Sequence, residues 1–117
     1  MWYTNKSKNN IKHMEDITMK KITLFYNQRT EGGAVSWEKW QLENIETKRF
    51  SYGSGECLKS VEVEIPDTWE VKKDMFEQNQ IYDGNGYAVE LNGKYDGEIY
   101  ASTSEKRYPI KLKRSVG

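Results

Sequence analysis

Cysteine and histidine are almost absent from this chain: 117 residues contain one of each, Cys57 and His13. A single thiol closes no disulfide within the chain and builds no multi-cysteine zinc site. A single imidazole, set in a polar N-terminal stretch, argues against a histidine-based nucleophilic triad. Long apolar runs are missing too. None approaches the roughly 18 residues of a membrane span, and mean hydropathy is −0.93. Lys6, Lys8 and Lys12 are not followed by the apolar stretch and cleavage site of a secretory signal, so the expectation is a cytoplasmic protein with no membrane partner. Excess charge of either sign is also lacking, with 18 basic and 18 acidic residues. That balance argues against a coat for nucleic acid, whose affinity depends on neutralising many phosphates, and against an acidic mimic of DNA.

What is present is turn chemistry. Tyr82-Asp83-Gly84-Asn85-Gly86-Tyr87 and Tyr95-Asp96-Gly97-Glu98-Ile99-Tyr100 form a doubled Tyr-Asp-Gly signature, with Asn92-Gly93 between them. Asp-Gly and Asn-Gly flanked by apolar residues are strong hairpin signals, and the C-terminal half reads as an antiparallel meander. Upstream, Lys21 to Asn27 alternates, with Ile22, Leu24 and Tyr26 on one face. Lys59 to Ile65 alternates likewise and stops at Pro66-Asp67. Thr30 to Gly33 reads as a turn and Tyr52 to Gly55 as a loop. Val35 to Phe50 fits helix or strand; its Trp, Ile, Thr and Phe favour strand. Further strands are expected at Trp69–Val71, Ile81–Tyr82, Tyr87–Leu91, Glu98–Ala101 and Arg107–Lys113. Asp74 to Gln80 is a polar excursion holding Met75 and Phe76, readable as one helical turn.

The expected fold is therefore all-β and mainly antiparallel. It is a small barrel or sandwich of about seven strands with one short helix, in a single domain from residue 19 onward. Residues 1–18 read as a mobile extension.

The inventory for chemistry is thin. Cys57 reads as a structural thiol. The Asp83-Gly84-Asn85-Gly86 run fails as a calcium loop, because Ala88 stands where glycine is required and Lys94 where a bidentate glutamate belongs. Glu62 and Glu64 share a strand face roughly 7 Å apart, a spacing that permits acid–base work but is ordinary on a solvated face. No cofactor and no metal are expected. The leading reading is a non-catalytic binding protein acting through protein–protein contacts, with Trp37, Trp40, Tyr82, Asp83 and Tyr87 as contact residues. Trp37 and Trp40 have opposite parity on a strand, so one of them should leave the core. The bias toward Lys, Asn, Ile and Tyr, residues with AT-rich codons, fits an AT-rich bacterium or its phage. With the small size, the β-rich pattern and the lack of a catalytic constellation, the expectation is a phage or mobile-element inhibitor of a bacterial defence complex, anti-CRISPR proteins being one such class. The partner is then a host or bacterial protein complex. The alternative is a nucleic-acid-binding β module using Arg107, Lys111, Lys113 and Arg114, against which stands the use of edge-strand lysine to prevent aggregation. A small hydrolase built on Glu62, Glu64 and Cys57 ranks third. A carbohydrate-binding module with Trp and Tyr platforms has less support.

Overall fold

The first alternating run forms strand β1 (Met19–Glu31), longer than the pattern suggests. Gly32 and Gly33 turn it, with φ of 59° and 85° and Glu31 paired to Ala34. Positive φ at both central positions is the type I′ form of a two-residue hairpin loop, which glycine reaches without a Cβ penalty. β2 (Ala34–Gln41) returns antiparallel to β1. The ambiguous segment is thus strand to Gln41 and irregular from Leu42 to Glu46. After β3 (Arg49–Phe50), β4 (Gly53–Pro66) pairs with β1 from Met19↔Pro66 to Glu31↔Gly53. Gly53 to Gly55, expected as loop, belongs to this strand, because β1 extends far enough to pair with it. The computed structural model describes residues 18–46, 49–50, 52–104 and 108–115. The N-terminal stretch with His13, and Arg107, lie outside them.

The meander follows as β5 (Glu70–Lys73), β6 (Asn79–Tyr82), β7 (Ala88–Asn92), β8 (Tyr100–Ser102) and β9 (Ile110–Lys111), each paired antiparallel with the next. A last strand, β10 (Lys113–Arg114), leaves this sheet and pairs with β4. The C-terminal strand expected to run unbroken is therefore split at Leu112. That residue is buried, and its N–H donates to Ile99 O at 2.8 Å, one step further along the β8–β9 register, before Lys113 and Arg114 pair with β4. The sheets are β10-β4-β1-β2, with β3 beside the start of β4, and β5-β6-β7-β8-β9; together they curl into a half-barrel. The fold is all-β, as expected. Among the described residues there is no helix, and none long and apolar enough to cross a membrane. Asp74 to Gln78, read as a helical turn, is a hairpin turn between β5 and β6.

Leu24 and Tyr26 of β1, Trp40 of β2, and Val63 and Ile65 of β4 pack against Trp69, Ile81, Val89, Ile99, Ala101 and Leu112. Asn27, on the opposite face of β1, is also fully buried. Its Nδ2 donates to Gln41 Oε1 (2.7 Å) and to the Glu43 carbonyl, so the segment after β2 is tied across the outer face.

Candidate functional site

The hairpin turns carry the first functional clue. Asp83 N–H donates to Tyr87 O (2.8 Å) and Gly86 N–H to Asp83 O (3.0 Å), while Asp83 Oδ1 accepts from the N–H groups of Asn85 and Tyr87, both at 2.9 Å. Gly86 sits at φ 88°. The turn at Asp74 repeats this pattern bond for bond. Asp74 N–H donates to Gln78 O (2.9 Å), Glu77 N–H donates to Asp74 O (3.0 Å), and Asp74 Oδ1 accepts from Phe76 N–H (2.8 Å) and Gln78 N–H (3.0 Å). Both are turns whose fourth residue takes the left-handed conformation.

The doubled Tyr-Asp-Gly signature is not the structural repeat. In the later turn Gly97 N–H donates to Lys94 O, which puts Asp96 two places further into the turn than Asp83. The equivalent residues are Asp74 and Asp83. They differ at the positions that matter: Gly84, Asn85 and Gly86 are replaced by Met75, Phe76 and Glu77. Glu77 adopts φ 62° without being glycine, and Met75 and Phe76 stand 86% and 73% exposed. A local strain and two large apolar side chains in water therefore coincide on a turn fixed by four hydrogen bonds. Glu77→Gly should relieve the left-handed strain and raise stability by about 0.5–1 kcal/mol, allowing for glycine's greater entropy loss. A higher urea midpoint at unchanged slope checks this; an unchanged or lower midpoint would remove the strain from the account.

Beside this turn lies a cleft of ≈ 750 Å³. β2 contributes Trp37, Lys39 and Gln41 to it, β5 contributes Lys73, and Glu77 to Gln80 form the opposite wall. Lys39 Nζ lies 4.6 Å from the centroid of Trp37. Glu43 bridges the walls, 3.9 Å from Lys73 Nζ and accepting from Asn79 Nδ2 at 3.2 Å.

The other residues singled out from sequence scatter. Trp40, 3% exposed, is a core residue packed edge-on against Tyr26 at 5.0 Å between centroids. Asp83 is 7% exposed, with one oxygen committed to backbone N–H groups. Both are therefore corrected from contact surface to structural roles, by burial. Tyr82 is half-buried under Lys72, and Tyr87, 50% exposed, sits on the turn at the far end of β6 from Met75. Of that set Trp37 and Trp40 both line the cleft, Trp37 as the half-buried ring and Trp40 as a buried one. On the C-terminal segment, Lys111 and Lys113 are exposed on different strands, Lys113 pairs across from Glu64, and Arg114 donates to Gly97 O at 2.8 Å. Glu64 also lies opposite Lys21 on β1, whereas Glu62 lies opposite Thr23.

Cys57 Sγ donates to Lys59 O at 3.4 Å. Burial pushes its thiol above the ordinary 9.0, helped by Glu46. Tyr26 is raised above 10.0 first by burial, then by the charge of Glu38, to which its hydroxyl donates at 3.3 Å. Both groups hold their protons more tightly folded than unfolded. The stability they supply is complete below pH 9 and is lost as pH rises through the folded values. Urea midpoints should fall above about pH 9, and Cys57→Ala should flatten the earlier part of the decline; an identical pH profile in that variant would contradict the assignment.

Among the described residues, no three or more His, Cys, Asp or Glu side chains group as a metal site would require. Compared with known protein families, curated proteins and solved structures, the chain matches none.

Proposed function

We propose that this chain is a non-catalytic binding protein acting through protein–protein contacts, and that the β5–β6 turn with Trp37 beside it is the contact face. The observation that carries this reading is the pair Met75 and Phe76, solvent-exposed on a backbone held by the Asp74 bonds. A turn already in its bound shape loses little conformational entropy on association. Each side chain contributes about 1.5–3 kcal/mol when a partner covers it. Half-buried aromatic surface at Trp37 adds an anchor of the type that dominates protein interfaces. The lysine- and asparagine-rich composition fits an AT-rich bacterial or phage source, and the proposal extends to an inhibitory role on a bacterial complex.

Met75→Ser combined with Phe76→Ser tests the reading. Both side chains lie outside the core, so the unfolding transition should stay within about 0.5 kcal/mol of wild type. Capture of the partner from host lysate should fall tenfold or more, on the order expected for losing two anchors. Undiminished capture by the folded double variant would eliminate the turn as the contact face.

A further inference from the structure

The paired ladder runs β2, β1, β4, β10, then across Leu112 to β9, β8, β7, β6 and β5. Among the described residues its two ends, β2 and β5, each have a strand neighbour on one side only. Both ends contribute to one cleft, Trp37, Lys39 and Gln41 from β2 and Lys73 from β5. The cleft is thus the seam at which the half-barrel fails to close.

We infer that this seam accepts one extended segment of a partner polypeptide, added as a strand to the edge of β2 and lying along the cleft. The inference rests on the binding-protein reading above and supplies a second contact that shares Trp37 with the turn. A free sheet edge offers alternating N–H and C=O groups at the repeat of an extended chain, which is what strand addition uses. Gln41, Asn79 and Gln80 line the cleft but already bond Asn27, Glu43 and the carbonyls of Ile81 and Val89, so the main-chain groups of the β2 edge are what a segment would pair with. Trp37 gives one side chain of the incoming segment a ring to pack on. The docking run is bounded. Pairing between β1 and β2 shifts between Arg29 and Thr30, leaving Ser36 as the extra residue, and is regular from Trp37 to Gln41. A bulge blunts an edge, whereas the regular run remains usable. Its five residues span roughly 17 Å, an ordinary strand length. A second copy paired about a two-fold axis at Glu38 or Lys39 would set like charges opposite, which disfavours two of the five registers open to self-pairing.

The test uses a displayed library of short random peptides selected on the full chain, followed by amide hydrogen exchange with an enriched synthetic peptide. The expected result is exchange of the Trp37–Gln41 amides slowed about tenfold or more at saturating peptide, with affinity reduced about tenfold by Trp37→Ala. No enriched peptide, protection confined to other strands, or cleft occupancy by members of an oligosaccharide panel instead would overturn the inference. So would slowing of the same amides with protein concentration alone, which would identify self-association. If the seam binds no peptide while the turn variant still loses its partner, strand addition falls and the binding reading stands.

Discussion

Gly53→Ala should abolish cooperative folding, or leave a protein destabilised by about 4 kcal/mol or more. An ideal Cβ at this position would stand 1.7 Å from the carbonyl oxygen of Thr30 and 3.1 Å from Cα of Glu31. Both obstacles are backbone, so no side-chain rotation makes room. Relief requires β1 and β4 to separate where Glu31 pairs with Gly53, and β3 pairs with the same residue through Phe50. Two ladders are therefore disturbed by one methyl group, against a total stability of about 5–15 kcal/mol. Thermal unfolding followed by circular dichroism reads the result. A wild-type transition in Gly53→Ala would show that the two strands do not approach as described.

The second large effect separates two tryptophans three residues apart. Trp40→Ala should cost about 3–5 kcal/mol, the range for removing a large buried aromatic. Its ring is 3% exposed and meets Tyr26, which in turn meets Tyr95 at 5.5 Å between centroids. Trp37→Ala should change stability by about 1 kcal/mol or less, because that ring is only half-buried on the outer face, under Lys39. Chemical denaturation of the two single variants gives the comparison directly. Equal losses would mean that both rings are core, and the contact face would then lose its aromatic anchor.

Strand parity alone places these two rings on opposite faces, which is why this part of the fold was legible in the sequence. The alternation in Lys21–Asn27 and Lys59–Ile65 and the Gly32-Gly33 turn were legible for the same reason: each is a local pattern with a local cause. The split of the last strand was not. Nothing in Pro109-Ile110-Lys111-Leu112-Lys113 states that Ile110 pairs with β8 and Lys113 with β4; that depends on where the first sheet curls. Strand β4 was underestimated because Gly53 and Gly55 punctuate sequence like a loop, yet here glycine permits close approach within a ladder and beneath Ile45.

The turn at Asp74 was missed as a site for a related reason. Hairpin turns of this type announce themselves through glycine at the left-handed position, and Glu77 removes the signal. The visible trace was Asp74 itself, since its spacing to Glu77 and Gln78 matches that of Asp83 to Gly86 and Tyr87. Of the five contact residues read from sequence, Trp40 and Asp83 are buried, Trp37 and Tyr82 are half-buried and Tyr87 is exposed. The cleft was invisible because its walls come from residues far apart in the chain.

The account is tested most directly by placing a photo-crosslinking amino acid at Phe76, with the same group at Lys111 as comparison, and irradiating each protein in host lysate. The account predicts one dominant protein adduct from position 76, suppressed by excess unlabelled wild type, and no such adduct from position 111. A competed adduct from position 111, to protein or nucleic acid, with none from position 76 would contradict it.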